Sequence, residues 1–133
     1  MESVIRVARG GAIMPYIRLS VTQKLTQDKK DALVNGLGEA MRKIPGKDER
    51  LLIVDVEDER TMYFGGTIQE DMVFADVRYF SNYEYHKKKE FTVAMFDAIH
   101  RIIGTSKNQM CSTLTEYNNW GALGDFRDEY FSD

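Results

Sequence analysis

Pro15 has the most chemical leverage in this chain, because a proline at a free chain start carries a secondary amine while a proline inside a chain carries an amide. An α-amino group starts near a pKa of about 7.7 to 8.0. Burial against apolar side chains and a neighbouring cation both disfavour the ammonium form, so each moves that pKa toward working pH. The neutral amine can then take a proton from one atom of a keto or enol compound and return it to another, a 1,3-proton shift needing no metal or organic cofactor. The competing reading is structural: Pro15 simply opens an edge strand, where its missing N–H forgoes no ladder bond. Lys47 follows Gly46 at a helix end, where a solvated lysine ordinarily answers the helix dipole. Cys111 sits in an alternating run and reads as a small buried apolar residue. His86 and His100 have no Ser or Cys partner in a recognisable arrangement, and two histidines with one cysteine supply no zinc-ligand spacing.

The elements that must position these residues come as one unit repeated. Alternation over Tyr16–Val21 (YIRLSV) and Val73–Phe80 (VFADVRYF) predicts two half-buried strands. Each precedes a helix. Leu33, Leu37, Ala40, Met41 and Ile44 share one helical face, and Phe91, Met95, Ala98, Ile99 and Ile102 share another. Gly46 and Gly104 are the expected C-caps. Return strands follow at Leu51–Val56 and Met110–Glu116, each succeeded by an aromatic and glycine, Phe64-Gly65-Gly66 in one case and Trp120-Gly121 in the other. A shift of 58 positions lays Val73 on Pro15, Ala98 on Ala40 and Gly104 on Gly46 without a gap. Two right-handed βαβ units side by side predict an α+β fold, a four-stranded sheet with both helices on one face. The strands carry Leu, Val and Ile, so a bare second face and open edges are expected to need cover from other subunits. The competing reading is a two-layer monomer whose second face is polar.

Composition narrows the function. With 133 residues, 43% of them hydrophobic, the chain fits one globular domain. A net charge of -3 gives no concentrated basic surface for nucleic acid. The run Tyr83-Glu84-Tyr85-His86-Lys87-Lys88-Lys89 is balanced by Glu84 and Glu90 and reads as a solvated helix face. No stretch approaches the roughly 20 apolar residues that span a bilayer, and no leader is signalled. A single cysteine suits a reducing compartment, so a cytoplasmic protein is expected.

Met14-Pro15-Tyr16-Ile17, Lys24-Leu25-Thr26, Gly46-Lys47 and Met62-Tyr63-Phe64-Gly65-Gly66 together resemble the tautomerase superfamily. The doubled unit is similar to the macrophage migration inhibitory factor (MIF) and phenylpyruvate tautomerase group rather than to the single-unit 4-oxalocrotonate tautomerases. The resemblance runs from Met14 to about Gly124. It implies a homotrimer with active sites at subunit interfaces and Pro15 as the base, exposed when an initiator methionine is removed. It also implies Lys47 as the anchor of a substrate carboxylate, Met62, Phe64 and Tyr79 around the substrate, and a small 2-oxo acid, phenylpyruvate-like, as the partner. The group's substrate-facing tyrosine and asparagine fall at Cys111 and Thr113, leaving Thr113 as the polar contact. The arginines of dicarboxylate-binding and dehalogenating relatives have no convincing match, although Arg18 and Arg78 lie on strands. The group's CxxC motif falls on Asp71–Phe74, without cysteine.

Residues 1–13 stand against this mechanism as an extension ahead of a 14–133 domain built of units at about 15–66 and 73–124. While they remain attached, the Pro15 nitrogen is an amide whose lone pair is delocalised, and it is no base. Three readings follow: Met14 is the real start, processing exposes Pro15, or the fold serves a non-catalytic, cytokine-like trimer with a blocked proline. The first is preferred, since Arg9-Gly10-Gly11 is what a purine-rich ribosome-binding sequence spells when read in frame. A competing expectation makes Val4-Ile5-Arg6-Val7 an extra strand.

Overall fold

The computed structural model describes residues 15–44, 51–80 and 83–128. Met14, Gly46, Lys47 and the Val4-Ile5-Arg6-Val7 segment lie outside the described residues. The elements run β1 (Tyr16–Val21), α1 (Gln27–Met41), β2 (Ile53–Glu57), β3 (Tyr63–Phe64), β4 (Thr67–Ile68), β5 (Val73–Phe80), α2 (Tyr85–Ile103), a single 3-10 turn (Lys107–Gln109), β6 (Met110–Tyr117), β7 (Asn119–Ala122) and β8 (Asp125–Asp128).

The main sheet has the order β2-β1-β5-β6. β1 and β2 are parallel, β5 and β6 are parallel, and the two pairs meet antiparallel at β1 and β5, with Tyr16 opposite Arg78 and Val21 opposite Val73. Each parallel pair is one βαβ unit. Because side chains alternate along a strand, Ile17, Leu19 and Val21 of β1 and Val73, Ala75, Val77 and Tyr79 of β5 face the helices and are fully buried. They pack on Leu33, Leu37, Met41 and Ile44 from the first helical segment and on Phe91, Met95 and Ile99 from α2. The predicted α+β architecture, two helices on one face of a four-stranded mixed sheet, is the one observed.

The repeat governs details as well. Thr26 caps α1 by accepting from the Lys29 N–H, and Glu84, its counterpart 58 positions on, caps α2 by accepting from the His86 N–H. β3–β4 and β7–β8 are matching two-stranded hairpins. Their turns fall on Gly65-Gly66 and Leu123-Gly124, all four residues at positive φ. The turn that corresponds to Gly65-Gly66 is therefore Leu123-Gly124; Trp120-Gly121, the expected equivalent, lies within strand β7.

Two further expectations are corrected. Gly104 does cap α2, at φ 78° with its N–H on the His100 carbonyl, but α1 ends at Met41 with Arg42 as its cap, ahead of Gly46. Pro45 explains the difference: it has no N–H to continue the ladder, and it disfavours helical geometry at the residue before it. The chain instead tightens into Lys43 and Ile44, whose N–H groups reach the carbonyls of Ala40 and Met41.

The second sheet face is largely polar rather than a bare apolar one, although Ile53, Phe74 and Tyr117 are exposed on it. It carries Arg18 and Ser20 from β1, Asp55 and Glu57 from β2, Asp76 and Arg78 from β5, and Thr113 and Thr115 from β6. Arg18 lies 3.8 Å from both Asp55 and Glu57, and Arg78 donates to Asp76 at 2.8 Å. The Leu, Val and Ile residues of the main-sheet strands occupy the helix-facing register, Ile53 excepted.

Candidate active site

The four strands of the main sheet bring Ile53, Tyr16, Arg78 and Tyr117 to one end of the polar face. Tyr16 sits directly between Ile53 and Arg78 in the ladder. Beyond Tyr117 the chain turns into β7, and the hairpin leans over this end of the sheet. The result is a cavity of about 720 Å³, against about 370 and 310 Å³ for two concavities on the helix side. Its walls are Pro15 and Tyr16, residues 51–53, Arg78, Tyr117, and residues 119–123.

Pro15 is buried, and its carbonyl accepts the Ile53 N–H at 3.1 Å, which ties the start of β1 to β2. Tyr16 donates its hydroxyl to Asp55 at 2.9 Å, fixing the ring that lies 5.7 Å beneath the Arg78 guanidinium. The Nη2 of Arg78 is held by Asp76, and that carboxylate raises the guanidinium pKa further, so Arg78 is a permanent cation. Across the cavity the Tyr117 and Trp120 rings lie 5.7 Å apart at a 58° tilt. Arg78 is the charged residue among the described walls; Asn119 and the two tyrosine hydroxyls are the other polar side chains. An apolar, aromatic hollow with one cation and a few polar groups is the usual make-up of a site for a small organic anion.

The residues expected around the substrate are distributed unevenly. Pro15 lies in the cavity wall, and Lys47 is outside the described residues. The Tyr79 side chain points into the helix layer, where its hydroxyl donates to Glu116 at 3.0 Å; burial first, then the Glu116 charge, raise its pKa well above the ordinary tyrosine value. Glu116 also accepts from the Tyr83 N–H and from Lys88, so it holds the Tyr79 ring away from the cavity. Met62 and Phe64 lie at the other end of the sheet, because the Arg60 N–H binds the carbonyl of Val21, the last residue of β1. A six-residue strand is about 20 Å long. Thr113 is on the polar face, midway along the edge strand β6, and donates to Asp76 at 3.2 Å. Within one chain, therefore, Pro15 is not joined by Met62, Phe64 or Thr113.

Arg78, Tyr117 and Trp120 were not among the expected site residues. Only Arg78 carried a usable signal, a cation in the outward register of a strand that begins apolar. Among the described residues no cluster of three or more His, Cys, Asp or Glu side chains could hold a metal ion, and no helix is long and apolar enough to cross a membrane.

No protein-family model matches the sequence, and no curated protein is significantly similar to it. Solved structures share its fold. MIF2 of Leishmania major superposes with a TM-score of 0.78 at 21% identity, covering 85% of this chain and 97% of that one. A fused 4-OT, described as a wild-type symmetric trimer, gives 0.76 at 15% identity over 84% and 94% of the two chains. N1, of the cis-3-chloroacrylic acid dehalogenase family, gives 0.75 at 16% identity over 86% and 84%. The chain has the tautomerase fold, shared with MIF-like proteins, 4-OT and the cis-CaaD group. More particularly, it is the doubled form of that fold, two βαβ units in one polypeptide.

Proposed function

We propose that this protein is a cofactor-independent keto-enol tautomerase of a small 2-oxo acid, phenylpyruvate-like, with Pro15 as general base when it is the first residue of the chain. The observation that carries the reading is the position of Pro15, buried in the wall of a cavity that also presents a permanent cation. Burial and the Arg78 charge both lower the pKa of an amine at Pro15, so a useful fraction is unprotonated near neutral pH. The 2-oxo acid enters as a carboxylate and loses a proton from C3; the same amine then returns that proton to the substrate oxygen, or the reverse in ketonisation. Lys47 is proposed as a contact to the carboxylate. Met62, Phe64 and Thr113 join this site from a neighbouring copy, since in their own chain they lie away from Pro15. A homotrimer satisfies that requirement, and the fused 4-OT described as a symmetric trimer shares the fold. The lone cysteine favours work in the cytoplasm.

The test compares protein beginning at Pro15 with the full 133-residue chain in phenylpyruvate enol ketonisation, followed by ultraviolet absorbance. Activity is expected only where Pro15 is a free amine. Equal activity in the two forms, with residues 1–13 shown by mass spectrometry to remain attached, removes Pro15 as the base. Inactivity of both removes the phenylpyruvate-like substrate and favours a binding role.

A further inference from the structure

We infer that Arg78 and Trp120 make this cavity selective for aryl-bearing monocarboxylates, with the Arg78 guanidinium holding the carboxylate and the indole of Trp120 packing on the aryl group. The inference deepens the proposed function and rests on its assignment of the Pro15 cavity as the site. Arg78 is built for the task rather than merely exposed near it. Its Nη2 is anchored to Asp76, its Cζ lies 5.7 Å over the Tyr16 ring, and Tyr16 is itself fixed by Asp55. No hydrogen bond among the described residues takes Nε or Nη1. Asp76 takes one of the two Nη2 hydrogens, so the second Nη2 hydrogen and the neighbouring N–H on the same edge of the guanidinium remain as paired donors that match the two oxygens of one carboxylate. Asp76 offsets part of the charge, which suits a single carboxylate better than a dianion. Trp120 is half-buried beside Tyr117 on the opposing hairpin, leaving an aromatic surface within the same hollow. A neutral amide of the same shape offers Arg78 one carbonyl acceptor, turns an NH2 donor toward its second N–H and carries no charge, a penalty that a carboxylate avoids.

Trp120 is the single tryptophan of the chain, so its fluorescence reports on this cavity directly. The probes are phenylacetate and phenylacetamide, which share a shape and differ in charge. The protein is the full chain. Saturable quenching by phenylacetate is expected, with phenylacetamide binding at least 10-fold more weakly. Arg78→Gln should weaken phenylacetate at least 10-fold and leave phenylacetamide unchanged, while Arg101→Gln, the same charge change on an exposed helix position, should alter neither. Circular dichroism establishes that each variant is folded. Equal affinity of the wild-type protein for acid and amide overturns the inference, as does an Arg78→Gln protein that retains the preference. The two proposals fail separately: acid selectivity without turnover of phenylpyruvate removes the tautomerase reading alone, and turnover without acid selectivity removes the Arg78 assignment alone.

Discussion

Leu123 is one of two described non-glycine residues, with Glu59, whose backbone conflicts with its type. It sits at φ 55°, in the left-handed region, where its counterpart in the first unit is Gly65 at φ 59°. A side chain there costs about 1–2 kcal/mol relative to a right-handed conformation. Its packing returns little, since Leu123 is 51% exposed, yet its side chain belongs to the cavity wall. Strained residues of this kind concentrate where a ligand is held. Leu123→Gly removes the clash but increases the freedom of the unfolded chain, which costs about 0.5–1 kcal/mol. The balance favours the variant: the urea midpoint should rise by the equivalent of about 0.5 kcal/mol, the difference of those two costs. Phenylacetate should bind this variant more weakly, because part of the wall is gone. A lower midpoint would mean that leucine contributes packing which its exposure conceals. Arg78 shows the converse case. Its type fits the chemistry, but nothing local in the sequence says that the outward register of β5 ends beside Pro15; the antiparallel pairing of the two units decides that.

At the level of elements, most of the architecture was readable because each signal is local. Period-two alternation marks β1 and β5, and period 3.6 marks both helices, with core faces that match the buried residues. Helix termini depend on competing signals, and for α1 the proline at 45 acts before the glycine at 46. Close contact between helices is less readable still. Gly36 lies mid-helix in α1, where glycine costs about 1 kcal/mol relative to alanine. A Cβ at Gly36 would meet Ile102 Cδ1 at 3.0 Å and Ala98 Cβ at 3.2 Å, both on α2. Ile102 can move its side-chain end, but the Ala98 Cβ moves only with its helix. Overpacking of this kind costs about 1–3 kcal/mol, which exceeds the propensity gain. Gly36→Ala should therefore lower stability by about 1 kcal/mol in urea denaturation, the middle of that difference. An increase would show that α1 and α2 separate without loss.

The complete site belongs to the scale of the whole molecule, which is why residue types alone could not assemble it. Pro15 and the pair Met62 and Phe64 stand at opposite ends of β1, so any site containing them all draws on two chains. The hairpin that carries Phe64 has the character such an arrangement requires. Tyr63 is 65% exposed, Phe64 51% and Ile68 59%, which puts three large apolar side chains in water on four strand residues. Apolar groups gathered this way mark contact surfaces more often than free ones. Ile53, Phe74 and Tyr117 are also exposed, on the sheet face, but they are spread over three strands, whereas the hairpin gathers its three on four residues and is the better place to break the proposed trimer. Phe64→Glu puts a charge where a neighbour would desolvate it, and an unpaired buried charge is strongly unfavourable. Its exposure in the single chain means that folding should survive. Light scattering is expected to give the mass of three chains for the unaltered protein and of one for Phe64→Glu, with unchanged circular dichroism. Ketonisation by the Pro15-first form should fall at least 10-fold in the variant, because each site loses the side chains a neighbour contributes. A single-chain mass for the unaltered protein at full activity would place the whole reaction within one copy, and Met62 and Phe64 would then have no part in it.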